Sequence, residues 1–301
     1  MFTALLPVFI IIFIGYACRH LGFPGDVFWG AAERMTYFVF FPALLINKLA
    51  FASFAASTAL PMAAAIMATI VTLSAVLLLL RPRNMWTGPV FSSVFQGSIR
   101  FNTFVGLAAV SALLGSSGVT LAAVALMAMI PLINLLCVPT VAYFGHKNAG
   151  GMLHMAWEIL RNPLILACLI GFAINIIQIP KPAGIFQVFD LLGRAALPVG
   201  LLAVGAGLQV TSLKTNLSGL LASCLIKLIL FPGLTALFCL VFQVTGEAKT
   251  VAVLFASLPT AVSAFILARQ LGGDTTLMAS IVTVHTVAAV ATMPLMLALL
   301  G

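Results

Sequence analysis

Within a chain made mostly of apolar residues, two clusters of polar side chains fall in the middle of hydrophobic stretches. The first lies in FQGSIRFNTFVGL, with Gly97, Ser98, Arg100, Asn102, Thr103 and Gly106; the second lies in FASLPTAVSAFILAR, with Ser257, Pro259, Thr260 and Ser263. An arginine deep in a membrane segment is costly enough to be a functional candidate by default, and its planar fork suits an anionic substrate. Its other readings are pairing with backbone carbonyls and snorkelling toward the cytoplasm. Asn102 has both a donor and an acceptor and can ligate a carboxylate by its amide, or make an interhelical hydrogen bond. Pro259 has no amide hydrogen and crowds the preceding turn, so it frees carbonyls and can break its helix. Thr260 and Ser263 can satisfy those freed groups or a ligand. Asn134, in IPLINLLCVP, is a further candidate for the site. Lys227 has the same two readings as Arg100, and His285, in IVTVHTVAAV, is either a proton relay or a neutral packing residue.

Other chemistries find no support. Neither GxSxG nor HExxH is present, so an enzyme is not expected. The five cysteines, Cys18, Cys137, Cys168, Cys224 and Cys239, lack paired metal-ligand spacing, and neither a metal nor a cofactor is expected. Asp26, Glu33, Glu158, Glu247 and Asp274 map to loops or span ends, while Asp190 sits four residues before Arg194 as a helix pair. With no carboxylate at the membrane midplane, the intramembrane polar groups favour an organic anion over a cation.

The elements that must position these residues are membrane helices. Of 301 residues, 63% are hydrophobic and only 7% are charged, against roughly 25% in soluble proteins. Runs such as LLPVFIIIFIGYAC are apolar all round, which excludes the alternation of a membrane β-barrel. Apolar runs between Gly, Pro and charged punctuation predict spans at 3–22, 34–53, 58–80, 88–114, 118–144, 160–178, 185–208, 217–243, 250–271 and 276–300. The first of these is read as a retained span rather than a cleaved signal. The net charge of +8 is scattered singly instead of forming the patch of a nucleic-acid binder. With the N-terminus outside, the inner loops and helix ends hold Arg19, Arg34, Arg81, Arg83, Lys147, Arg161, Lys214 and Arg269, and the outer ones hold only Lys48, Lys181, Arg194 and Lys249. The positive-inside rule therefore places both termini outside.

Shifting the chain by 156 residues brings Pro7 onto Pro163, Gly15 onto Gly171, Ala17 onto Ala173, Pro24 onto Pro180 and Pro42 onto Pro198. GSIRFN and ASLPTA align at nearly the same offset, 159. A repeat of five spans crosses the membrane an odd number of times, so its second copy enters from the opposite side. The prediction is an all-α polytopic protein built as an inverted repeat, an architecture shared by many secondary transporters. The first five-helix repeat covers 1–145, a short cytoplasmic connector 146–159 and the second repeat 160–301.

The chain resembles the auxin efflux carriers, which include the plant PIN-FORMED proteins and many bacterial permeases. The resemblance is carried by YFVFFPALLINKLAF, by RNPLILACLIGFAINIIQIP with LGRAALPVGLLAVGAGL, and by the run from ASLPTAVSAFILARQLGGDTT to the C-terminus. It implies a ten-helix fold similar to the bile-acid symporters and sodium/proton antiporters. Spans 1, 2, 6 and 7 would form a dimerising scaffold, and broken helices 4 and 9 would cross at the site in an elevator-like transport domain. By position, Asn102 with Thr103 matches the family's asparagine at the first crossing, and Pro259 its proline at the second. Where members often have proline in a GLP or GIP sequence, this chain has Ala108 after Gly106-Leu107, so the break in helix 4 is expected to depend on Gly97 and Gly106. The long hydrophilic loop of many plant members is absent, as in a bacterial permease of the inner membrane. The expected function is secondary transport of a small organic anion, a dicarboxylate such as malonate or an indole-type weak acid. The alternatives are a non-transporting membrane sensor or assembly partner, and a passive anion channel.

Overall fold

The computed structural model describes residues 2–52, 56–82, 84–145, 157, 161–178, 184–209 and 216–301. Arg83, Lys147, Glu158, Pro180, Lys181 and Lys214, and all of the 146–159 connector but Trp157, lie outside the described residues. Every described element is helical. In chain order they are α1 (Phe2–His20), α2 (Asp26–Met35), a π turn (Thr36–Phe40), α3 (Phe41–Leu49), α4 (Ala56–Leu79), α5 (Gly88–Ile99) and α6 (Thr103–Gly145). These are followed by α7 (Pro163–Ile177), α8 (Ile185–Ala206), α9 (Leu217–Leu225), a second π turn (Ile226–Leu230), α10 (Phe231–Val241), α11 (Gly246–Ala256), α12 (Ser263–Leu271) and α13 (Thr275–Leu300).

Among the described residues, six helical stretches are long and apolar enough to cross a membrane. One of them, Gly88–Gly145, has 58 residues. At 1.5 Å per residue an unbroken helix of that length would run roughly 90 Å, about three times the hydrocarbon thickness. The chain solves this with two interruptions. Arg100 is extended (φ −70°, ψ 150°) between α5 and α6, and Gly115 (φ 61°, ψ −140°) divides α6. The positive φ at Gly115 is one that residues with a Cβ adopt only under strain.

Both π turns have a covalent cause. Pro42 and Pro232 sit in the first turn of α3 and α10. A proline there cannot donate to the carbonyl four residues back and crowds it. The ladder widens instead: Phe41 N–H reaches the Thr36 carbonyl and Phe231 N–H the Ile226 carbonyl, each five residues back. Such a turn rotates the side chains that follow and recurs at functional sites. The second helix also starts earlier than its apolar run suggests, at Asp26 rather than near 34.

Two groups of helices pack most extensively among themselves. In one, α1 lies along α8, and α3 lies against α7 and α8. There the backbones nearly touch: a Cβ at Gly15 would strike the Leu202 carbonyl, and one at Gly205 the Ile12 carbonyl. Small residues at such places let membrane helices gain close packing where lipid offers no hydrophobic driving force. In the other group, α4, α5, α6, α10, α11 and α13 surround fully buried Phe91, Phe95 and Phe255. The Asp190–Arg194 pair expected from its spacing forms at 2.7 Å.

Candidate functional site

The site is built where two helices are interrupted. The break between α5 and α6 spans Arg100–Asn102, and that between α11 and α12 spans Ser257–Val262. A broken helix leaves backbone donors and acceptors that lipid cannot satisfy, and here the two breaks satisfy each other. Asn102 N–H donates to the Pro259 carbonyl (2.8 Å). The Thr260 hydroxyl donates to the Gly97 carbonyl (2.6 Å). Phe101 sets its ring edge-on to Phe255, with centroids 5.8 Å apart.

Asn102 does a second job at the same point. Its Oδ1 accepts from Phe104 N–H (3.0 Å) and Val105 N–H (3.3 Å), capping the start of α6. This corrects the expectation that Gly97 and Gly106 break helix 4. Both glycines are helical, and what they provide is close packing: a Cβ on Gly97 would meet Ile281 and Ser223, and one on Gly106 would meet Leu258 and Phe255. The extended backbone at Arg100 and the Asn102 cap make the break.

Two neighbouring cavities flank the crossing. One, of about 300 Å³, is lined by Glu33, Arg34, Tyr37, Phe38, Asn102, Thr103, Ser263 and nearby apolar residues. The other, of about 240 Å³, is lined by Tyr37, Arg100, Thr103, Asn134, Asn162 and Ser263 among others. Tyr37, Thr103, Ala261 and Ser263 line both. Volumes near 300 Å³ are at the small end of ligand pockets, about 300–1,000 Å³.

The charges differ between them. The first cavity carries one residue of each sign, Glu33 and Arg34. The second carries only Arg100, whose Nη2 donates to Asn134 Oδ1 (2.7 Å) while its buried Nε has no partner. A guanidinium has only donors, so the Asn134 oxygen must be the group facing it. A half-satisfied guanidinium beside the N-terminal turns of α6 and α12, whose macrodipoles add partial positive charge, makes a local field suited to a carboxylate.

The predicted site residues thus divide into three sets. Arg100, Asn102, Thr103, Asn134 and Ser263 line the cavities. Pro259 and Thr260 do not line them; Pro259 supplies its carbonyl to the crossing, and Thr260 is fully buried between Gly97 and His285. Lys227 and His285 are fully buried and line neither cavity. Sequence reasoning missed Tyr37, Asn162 and Glu33. Asn162 carries a signal that could have been used: it precedes Pro163 and caps α7 through Leu164 N–H (2.9 Å). Glu33, placed at a span end from the sequence, lies inside α2 and lines the first cavity because the helix begins at Asp26.

With this geometry in view, the comparisons with known proteins define a class. Residues 151–297 match the family model described as membrane transport protein. A "Putative malonate transporter" of Rhizobium meliloti (strain 1021) is 26% identical over 287 residues, covering 89% of this chain and 85% of that protein. An "Uncharacterized transporter" of Methanothermobacter thermautotrophicus (strain Delta H) is 23% identical over 296 residues, 96% of this chain and 95% of that one. The family model and both relatives are described as transporters. The resemblance to the auxin efflux carrier family carried by the motifs is borne out by these matches.

Proposed function

We propose that the protein is a secondary transporter of small organic anions, a dicarboxylate such as malonate or an auxin-like weak acid, and that it works by an elevator-type movement. The observation that carries the reading is Arg100 at the crossing, a half-buried arginine lining a cavity with no carboxylate beside it in that cavity. A substrate carboxylate would complete its hydrogen bonding, with Asn102, Thr103, Asn134 and Ser263 setting orientation and size. Pro259 and Thr260 hold the two broken helices in the register that keeps these groups together.

Two further features support the mechanism. The helices flanking the two breaks correspond at offsets of 158 to 160 residues, Gly88 with Gly246 and Thr103 with Ser263, as a ten-helix inverted repeat requires. The cavities lie between Tyr37, on the second helix, and the crossing, so substrate would sit at the boundary of a group containing α1, α3, α7 and α8 and a group containing the broken helices. In the reading, the first group is the scaffold, through which two copies pair, and the second moves. Both termini face outward from the inner membrane; the cavities reach the α2 and α7 ends that this topology places in the cytoplasm. The malonate transporter named among the relatives makes malonate the first substrate to try. Radiolabelled malonate and a panel of carboxylates, offered to proteoliposomes with pH, sodium and voltage gradients imposed separately, test the reading. It fails if every substrate enters protein-containing and protein-free vesicles equally.

A further inference from the structure

Off both cavities lies a buried polar cluster that the anion site does not use. The single hydroxyl proton of Thr260 is committed to the Gly97 carbonyl (2.6 Å). The hydrogen bond between Thr260 Oγ1 and His285 Nδ1 (2.9 Å) must therefore be donated by the imidazole. That assigns the tautomer of a neutral ring: hydrogen on Nδ1, lone pair on Nε2. Nε2 is buried and has no partner.

Lys227, on the second π turn, is also fully buried. Its Nζ lies 4.2 Å from the centroid of the Phe231 ring and has no hydrogen-bond partner. Packing brings the two together: a Cβ on Gly97 would meet both Ser223 and Ile281, and Lys227 and His285 each lie one helical turn beyond these residues. Ser223 Oγ, about one turn before Lys227 on α9, and both amide atoms of Gln96 on α5 are unpartnered and buried as well. The turn packs on α5 and α13 and continues into α9 and α10. From these elements the titratable groups are His285 on α13, Cys224 on α9 and Cys239 on α10; α5 has none, and no carboxylate lies on any of the four. Buried polar atoms are paired in folded proteins, by protein or by water. Here a fully buried amine and an imidazole lone pair both lack hydrogen-bond partners, and among the described residues no anion neutralises the amine.

We propose that Lys227 and His285, bridged by an enclosed water, form a proton-binding site through which anion movement is coupled to a proton gradient. The site holds one exchangeable proton, on the Lys227 amine, and shares it through the water with His285 Nε2; two cations side by side would have no counter-charge. Its occupancy is felt at the crossing, because His285 is tied to Thr260, and Thr260 to Gly97. The coupling rests on the anion-carrier reading above, whereas the proton site itself does not.

The test uses the full chain in proteoliposomes with radiolabelled malonate. In wild type, an inward pH gradient at zero potential should stimulate net uptake. In K227M, and in K227Q if K227M folds poorly, that stimulation should vanish, while malonate–malonate exchange, which needs no net proton movement, continues. H285Q should also lose the stimulation. A K227M protein that responds to the pH gradient as wild type does, or a wild type that exchanges malonate and ignores the gradient, overturns the proposal. If wild type exchanges neither malonate nor any other carboxylate of the panel, it is the anion reading that has failed, and the proton site is then judged without substrate, from melting temperatures in detergent. A K227M-minus-wild-type difference that changes from mildly acidic to mildly alkaline pH supports a titrating Lys227; a constant difference refutes it.

Discussion

Replacing Asn102 separates its two roles, because the cap and the cavity use different atoms. In Asn102→Ala, Phe104 N–H and Val105 N–H lose their shared acceptor. Loss of such a cap costs about 1 kcal/mol. Asn102 is only 3% exposed, so water cannot readily replace the lost oxygen, and the cost moves toward the ~1–3 kcal/mol of an unsatisfied buried amide. Asn102→Asp keeps an acceptor at the same place, and a negative charge at a helix N-terminus is itself worth about 0.3–1 kcal/mol. Asp thus retains the capping acceptor, offset by the cost of burying its charge at a site this closed, and the sharp expectation is for Ala, which should melt clearly below wild type. Transport should order the two differently. Asp removes the amide donor and turns a carboxylate toward the cavity; loss of a hydrogen bond to a charged group, ~1.5–3 kcal/mol, weakens malonate binding about tenfold to a hundredfold before repulsion is added. The paired assay is melting temperature in detergent and concentration-dependent malonate uptake in vesicles. Asn102→Asp transporting malonate with unchanged KM would remove Asn102 from the binding site; Asn102→Ala melting with wild type would remove it as the cap.

Other perturbations probe the remaining parts. Arg100→Gln should weaken malonate binding by about tenfold or more, the cost of a charge-assisted hydrogen bond, and Arg100→Lys by less; equal binding in wild type and both variants would assign Arg100 to structure alone. Thr260→Val removes the tie to both Gly97 and His285 at nearly constant volume, so stability should fall by about 1–3 kcal/mol, read by melting temperature, while Thr260→Ser retains it; a Val variant as stable as wild type would mean that the tie contributes nothing. Gly205→Leu forces a side chain into the Ile12 backbone and should destabilise the α1–α8 contact by about 1–3 kcal/mol or more, read by melting temperature; a neutral effect would show that the two helices are not held this closely.

Parts of this site were legible in the sequence because a polar residue in an apolar run is conspicuous whatever its partners. Arg100, Asn102, Thr103, Asn134 and Ser263 could be picked out that way, and Pro259 marked a break by its missing donor. The union of the two breaks was not legible: the Asn102 N–H to Pro259 carbonyl bond is made by backbone atoms that every residue type offers. Thr260 carries the same side chain whether it faces a ligand or the Gly97 carbonyl, and only the fold decides. Gly97 and Gly106 drew attention as potential breaks because glycine tolerates unusual backbone, but in a membrane it serves close packing equally well. Tyr37 lies in a π turn created by a proline five residues later, so a regular helical period assigns its face incorrectly. Glu33 was misplaced by a boundary, since α2 begins in a polar segment that hydropathy does not count as span.

Whether the cavity at the crossing carries small organic anions through the membrane is decided by the concentration dependence of malonate uptake by purified protein in vesicles, with wild type and Arg100→Gln compared. Uptake by wild type should saturate and be competed by other small carboxylates, with half-saturation shifted to higher concentration in Arg100→Gln. Wild-type uptake that rises linearly without saturating, or that never exceeds protein-free vesicles for any carboxylate under any gradient, would contradict it.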